Sequence, residues 1–285
     1  MELKKMKKPI WLHKKVNLKV CYALKSLLRD LKLYTICEEA HCPNISECFS
    51  QRIATFLILG DICTRNCAFC NVKTGKTKPI DPEEPKRIAE AVYRLNLKHV
   101  VITSVTRDDL ADGGASHFVQ TIFSIREKNK KVTIEVLIPD FKGKEEAIKM
   151  ITTAKPDIIG HNIETVPRLY PIVRKGADFS RSLKVLRLIK QLDSNIYTKS
   201  GIMLGLGEKK EEVIEVFKKL RKVGCDFLSI GQYLPPSLKA YPVKEYIHPN
   251  NFDYYKKKAL ALGFLYVMSG PYVRSSYLAK EFLSH

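Results

Sequence analysis

"TFLILGDICTRNCAFCNV", residues 55–72, carries two messages in one stretch. Residues 55–62 form a nearly unbroken apolar run, the pattern of a strand buried on both faces of a parallel sheet. Directly behind it stand Cys63, Cys67 and Cys70. In a parallel βα fold, chemistry collects at the carboxyl ends of the strands, so a loop after a first strand is well placed for a site. A closed tetrahedral metal site takes four ligands. Three thiols leave one position open.

Similar apolar runs follow at 99–105, 133–140, 157–164, 197–207 and 227–234, which makes six with the first. Helical patterns separate them. In "DPEEPKRIAEAVYRLNL" Asp81 reads as the N-cap, Pro82 as the first helical residue and Glu84 as a first-turn acid. Ile88, Ala91, Val92 and Leu95 fall on one face. Val213, Val216, Phe217 and Leu220 do the same before Gly224, which sits where a C-terminal cap belongs. Val185, Leu188, Ile189 and Leu192 form a third such face. The alternation predicts an α/β fold, (βα)6 over about residues 55–250. It is built as a partial TIM-like barrel or a doubly wound sheet. Residues 1–54 and 251–285 are extensions to that core.

The chain has 285 residues and 45% hydrophobic content, enough for a core in one large domain or two small ones. No run of 18 apolar residues suggests a membrane span. The basic start lacks the apolar stretch of a secretory signal, so the expectation is a cytoplasmic protein, with organellar targeting left open. The net charge of +19 fits either an acidic partner or a lysine-rich surface. No RNP signature or zinc-finger spacing points to nucleic acid.

Six of the eight cysteines lie between positions 37 and 70. A chain of this length without an export signal has no need of a disulfide framework, and clustered thiols in a reducing compartment more often bind metal. A zinc ribbon supplies two separated pairs; C-x3-C-x2-C instead suits three corners of an iron–sulfur cube. Cys37, Cys42 and Cys48 form a second triplet, C-x4-C-x5-C, for which zinc is an alternative by spacing alone. Cys21 and Cys225 are isolated and read as buried or free thiols.

C-x3-C-x2-C after the first strand of a (βα)6 chain resembles the radical S-adenosylmethionine (SAM) enzymes. The resemblance implies that SAM occupies the open iron through its amino and carboxylate groups, and that Phe69 lies near the adenine; simple loop packing is the plainer role for Phe69. The two triplets, "TSVTRDDLADGGA" (103–115), "HNIETV" (161–166), "KSGIMLGLGE" (199–208) and "VRSSY" (273–277) together resemble the lipoyl synthases, in order from about residue 35 to 277.

That resemblance implies two [4Fe–4S] clusters. Cys63, Cys67 and Cys70 hold the one that cleaves SAM. Cys37, Cys42 and Cys48 hold an auxiliary one, with Ser276 as fourth ligand and Ser275 the lesser choice; a helix cap or loop hydrogen bond is the local alternative for Ser276. It implies a sulfurtransferase that adds sulfur at C6 and C8 of a protein-bound octanoyl-lysine, the auxiliary cluster giving up the sulfur. Arg107 and Asp108 are candidates for the amino-acid end of SAM or the acyl-lysine. Asn162 and Glu164 are candidates for its amino group or ribose, or for a hydrogen-bond network in the barrel mouth. Gly113–Gly114 and "MLGLGE" are candidates for close backbone approach. His161 reads as a hydrogen-bonded strand-end residue.

The implied partners are an octanoylated lipoyl carrier domain, in 2-oxoacid dehydrogenase E2 subunits or the glycine cleavage H protein, and a low-potential electron donor such as ferredoxin or flavodoxin. An iron–sulfur carrier that rebuilds the auxiliary cluster is a third, with neither nucleic acid nor membrane among them. Two other readings stay open: a sulfur-inserting enzyme acting on a free small molecule, as biotin synthase does, and a basic metal protein that binds nucleic acid.

Overall fold

Each of the six apolar runs becomes a strand of one sheet. The structure, a computed structural model, describes residues 7–14, 17–50 and 53–283; the basic residues 1–6 lie outside them. The strands are β1 (Tyr34–Thr35), β2 (Thr55–Ile58), β3 (Ile62–Cys63), β4 (Lys73–Thr74), β5 (His99–Ser104), β6 (Thr133–Leu137), β7 (Ile158–Gly160), β8 (Tyr197–Leu204), β9 (Phe227–Gln232) and β10 (Tyr266–Gly270). The α-helices are α1 (Tyr22–Asp30), α2 (Ile36–Glu39), α3 (Ile45–Ser50), α4 (Glu84–Arg94), α5 (Ala115–Lys128), α6 (Glu145–Thr153), α7 (Tyr170–Val173), α8 (Phe179–Leu192), α9 (Lys210–Lys222) and α10 (Pro249–Ala261).

The main sheet runs β1-β2-β5-β6-β7-β8-β9-β10. From β2 onward all pairs are parallel and follow chain order. A doubly wound sheet reverses direction part-way across; this one does not. The result is the open, barrel-like alternative, with β1 and β10 as its edges. Both edges come from the flanking extensions. β1 is antiparallel to β2, and β10 extends the sheet beyond β9.

The helices match their apolar faces with two corrections. α4 begins at Glu84, two residues later than expected, because Asp81 caps a turn through the Glu83 N–H at 3.0 Å. Pro85 therefore occupies the first turn, not Pro82. On α8 the buried face is Ser182, Val185, Leu186 and Ile189; Leu192 is the last helical residue and lies 40% exposed. α9 buries Val213, Val216, Phe217 and Leu220, and Gly224 follows with φ +84°, as its cap position requires.

The lower end of the sheet is closed. Lys199 Nζ donates to both carboxylate oxygens of Glu135 at 3.0 and 3.2 Å, and His99 Nε2 lies 3.3 Å from the same carboxylate. The Phe282 ring covers the ammonium, 3.7 Å from Nζ to the ring centroid, and packs on Phe227 and Tyr266. Burial draws the Lys199 pKa below its ordinary value. The last described turn of the chain thus seals the floor, opposite the carboxyl ends of the strands.

Candidate active site

β2 ends in two residues with left-handed backbone, Leu59 (φ 67°) and Gly60 (φ 89°), which turn the chain into the second cysteine loop. A two-stranded parallel clasp, Ile62 to Lys73 and Cys63 to Thr74, closes that loop at its base. Inside it the Cys70 N–H donates to the Cys67 carbonyl at 3.0 Å, and backbone N–H groups of Arg65 and Val72 point at the thiols of Cys63 and Cys70. The loop is moored outward as well. Ala68 N–H donates to the Val173 carbonyl at 2.9 Å, and Tyr241 N–H to the Ala68 carbonyl at 2.7 Å. Arg65 pairs in two bonds with Asp108 (2.7 and 2.9 Å) and reaches Asp140 at 2.6 Å, which also accepts from Arg181.

The first triplet is built on helices. Cys37 lies in α2, capped by the Thr35 hydroxyl, and Cys48 lies in α3. Cys42 sits between them, after His41 at φ 48°. Its N–H donates to the Cys37 carbonyl at 3.0 Å. The far end of the chain is stitched over this unit. Asn44 Nδ2 donates to the Tyr272 carbonyl at 2.7 Å, Tyr277 Oη to Glu47 at 2.8 Å, and Thr55 Oγ1 to Ser276 Oγ at 2.7 Å. A fourth tie joins the two cysteine segments: Asn71 Nδ2 donates to the Glu39 carbonyl at 2.9 Å.

The neighbouring serines face different ways. Ser276 Oγ accepts from the Thr55 hydroxyl. Ser275 Oγ accepts from Asn162 Nδ2 at 2.6 Å, and the same amide donates to Glu164 at 3.0 Å. Gly201 makes this possible; a Cβ there would lie 2.9 Å from Asn162 Oδ1 and 3.2 Å from Ser275 Oγ.

All eight cysteines are free thiols. Burial, and then the neighbouring Cys42, pushes the Cys37 and Cys48 thiols up to about 12. Burial pushes Cys67 up to about 12 as well, against the nearby Arg174 guanidinium, and raises Cys70. Such thiols ionise only when a cation offsets the cost. Each triplet also has an arginine close by, Arg174 near Cys67 and Arg274 near Cys42, and neither forms an ion pair with a carboxylate among the described residues. Arg174 does feel the Glu164 carboxylate and donates to Tyr170 and Ser182, so the guanidinium charge beside a thiol cluster with no carboxylate acting on it is that of Arg274.

One cavity of about 420 Å³ opens at the carboxyl ends of the strands. It is lined by Cys37, Cys42 and Ser276 from the first triplet's surroundings and by Phe69, Cys70, Asn162 and Glu164 from the second's. Leu137, Ile202, Met203, Leu234 and Pro236 add apolar wall. The Ser229 hydroxyl on its wall is buried and has no hydrogen-bond partner.

Arg107 and Asp108 are not on that wall. Arg107 turns away to Asp109, holding it down to about 2, and to the Leu59 carbonyl; Asp108 is spent on Arg65. They brace the loop from behind. Gly113 and Gly114 serve packing. Added Cβ atoms would lie 2.8 Å from Phe141 and 2.3 Å from Leu59. Gly205 of "MLGLGE" likewise makes room for Gln232, and from that motif only Met203 lines the cavity, beside the preceding Ile202. His161 Nδ1 donates to the Ile138 carbonyl at 2.9 Å, and burial draws its pKa down to about 4. Sequence reading missed Thr55, Arg274 and the Tyr233–Pro236 wall; only the Leu-Pro-Pro run after β9 offered a local hint of a rigid loop.

Residues 57–233 match the radical SAM superfamily. Among solved structures, methylornithine synthase aligns with TM-score 0.57 at 16% identity over 75% of this chain and 70% of its own. Streptococcus suis SuiB aligns with TM-score 0.60 at 12% identity over 94% and 58%. These two likenesses concern the fold alone. The lipoyl synthase of Caldicellulosiruptor saccharolyticus is 61% identical over 277 residues, 96% of this chain and 97% of that relative. That of Alkaliphilus metalliredigens is 57% identical over 281 residues, covering 97% and 96%. The chain belongs to the lipoyl synthase family of the radical SAM superfamily.

Proposed function

We propose that this chain inserts two sulfur atoms, at C6 and C8, into an octanoyl chain amide-linked to a lysine of a lipoyl carrier domain. As a family member it is a sulfurtransferase that uses SAM and [4Fe–4S] clusters. The observation that carries the reading is the single cavity shared by the two cysteine triplets. Reaction at an unactivated C–H bond needs a radical source and a sulfur source within reach of one substrate.

When bound, SAM and the two clusters supply the electron, the 5′-deoxyadenosyl radical and the sulfur. Cys63, Cys67 and Cys70 would hold the cluster that meets SAM, and Cys37, Cys42, Cys48 and Ser276 the auxiliary one. The donor set fits both. Each triplet offers three soft thiols and no carboxylate ligand among them, the donor type that suits three corners of an iron–sulfur cube. Ser276 rather than Ser275 is the fourth ligand, because Ser275 is taken up by Asn162 beside Glu164 while Ser276 accepts from Thr55. A hard alkoxide among soft thiolates is the weaker partner for iron, which suits a cluster that must come apart.

Asn162 and Glu164 orient SAM from the cavity floor, with Ser275 fixing the Asn162 amide. Glu164 holds left-handed backbone (φ 64°), a strained placement of the kind found at binding sites. Phe69 lines the same cavity, where the adenine is expected. Arg107 and Asp108 act at one remove, by holding the cysteine loop. The apolar wall receives the octanoyl chain and keeps water from the radical. Functionally, residues 1–54 and 251–285 supply the auxiliary site and residues 55–250 the SAM site.

The carrier domain belongs to a 2-oxoacid dehydrogenase E2 subunit or a glycine cleavage H protein, with ferredoxin or flavodoxin as electron donor and an iron–sulfur carrier restoring the auxiliary cluster. Among the described residues no helix is long and apolar enough to cross a membrane. The test is anaerobic reconstitution followed by SAM, reductant and an octanoyl-lysine peptide. Mass spectrometry is expected to find two added sulfurs. None added, with about eight irons bound as two four-iron clusters require, would contradict the assignment.

A further inference from the structure

Thr55 reaches the serine that the reading gives to the auxiliary site. It is the first residue of β2 and is buried. Its hydroxyl donates to Ser276 Oγ at 2.7 Å, across a sequence separation of 221 residues. A hydroxyl has one proton and two lone pairs, so this bond uses the one proton Thr55 has to give.

A donor preset at 2.7 Å fixes the Ser276 rotamer before iron arrives, and it stays on the oxygen as a charge-assisted hydrogen bond once that oxygen is an iron ligand. Ser275 also accepts a hydrogen bond, from Asn162 Nδ2 at 2.6 Å, but that amide belongs to the Asn162–Glu164 pair and holds Ser275 there.

We propose that Thr55 is the positioning residue for the Ser276 ligand and sets how long the auxiliary site keeps its serine-bound iron. This rests on the assignment of Ser276 with Cys37, Cys42 and Cys48 to one cluster. Thr55→Val keeps the shape and the β-branch of a strand residue but removes the donor.

The experiment measures chelator-driven iron loss from the reconstituted full chain, following four-iron to three-iron conversion by electron paramagnetic resonance. Thr55→Val is expected to lose the first iron about tenfold faster than the unaltered chain, the scale of one charge-assisted hydrogen bond. Thr55→Ser restores the slow rate, and the spectral change that SAM causes at the other cluster stays as it was. Thr55→Ala is the second variant, with the same acceleration expected should Thr55→Val fail to fold. In a Ser276→Cys background, Thr55→Val changes nothing, because a thiolate does not need the donor. Equal iron loss with and without the Thr55 hydroxyl would overturn the proposal, as would an equal effect in both backgrounds. A parent chain that holds only one cluster would instead remove the reading on which it rests.

Discussion

The two cysteine triplets hold the same number of thiols and are treated differently by the chain around them. Cys37 and Cys48 are buried on short helices, and Tyr272, Ser276 and Tyr277 are tied across them from the other end of the sequence. Cys63, Cys67 and Cys70 ride on a strand-end loop held from behind by Arg65, Asp108 and Asp140, with Cys70 exposed toward the cavity. Each triplet lacks one ligand. For the first the proposed filler is the Ser276 hydroxyl, which Thr55 holds; for the second it is SAM, in the cavity bordered by Asn162 and Glu164. What stands opposite three thiols decides whether they make a reservoir or a reaction centre.

The sharpest way to break this contrast is to empty one triplet at a time. Cys63→Ala is expected to abolish formation of 5′-deoxyadenosine while about four irons stay bound. Cys37→Ala should do the reverse, with SAM still cleaved and no sulfur added to an octanoyl-lysine peptide. Product analysis beside iron counting separates the two. If both variants lose SAM cleavage, the triplets are not separate sites.

The adjacent serines come next. Ser276→Cys is expected to hold the auxiliary cluster more tightly and impair sulfur insertion, read as slower iron release and less thiolated product. Ser275→Ala should keep the iron content and weaken SAM binding about tenfold, the cost of a lost positioning hydrogen bond to Asn162. Swapped outcomes would exchange the roles given to these two hydroxyls.

Asp140 belongs to the second triplet alone. Its carboxylate is fully buried between Arg65 and Arg181, whose guanidinium groups hold its pKa well below the usual carboxylate range against the cost of burial. Asp140→Asn leaves buried guanidinium charge uncovered and is expected to cost about 3 kcal/mol of stability, measured as a lower denaturant midpoint. Iron at the Cys63 site should fall with it, and iron at the Cys37 site should not. The smallest expected effect is on docking. A net charge of +19 steers an acidic carrier domain, so association should weaken several-fold from low to moderate salt. Salt-independent association would remove steering from the account.

Much of this was legible in the sequence because it is local. Apolar runs give strands, and thiol spacing gives the triplets. The neighbours Asn162 and Glu164 fall two apart at a strand end and do border the cavity. The losses have a physical pattern. Arg107 and Asp108 look available in sequence, but each is neutralised by a partner, Asp109 and Arg65. Gly113 and Gly114 do permit close approach, yet what approaches is Leu59 and Phe141. β10 takes up the apolar run FLYVM (264–268), left out of the six strands because it lies behind the βα repeat, and pairs with the parallel edge that β9 offers. Thr55 and Arg274 were invisible because their partners lie at the opposite end of the chain or in another loop.

The central claim is that one triplet is open to SAM and the other is closed by Ser276. Mössbauer spectroscopy of the reconstituted chain, titrated with SAM, tests it directly. One of two four-iron clusters is expected to develop a distinct iron site as SAM is added, and that cluster is the one missing from Cys63→Ala. A response from both clusters, or from the one that survives in Cys63→Ala, would contradict the account.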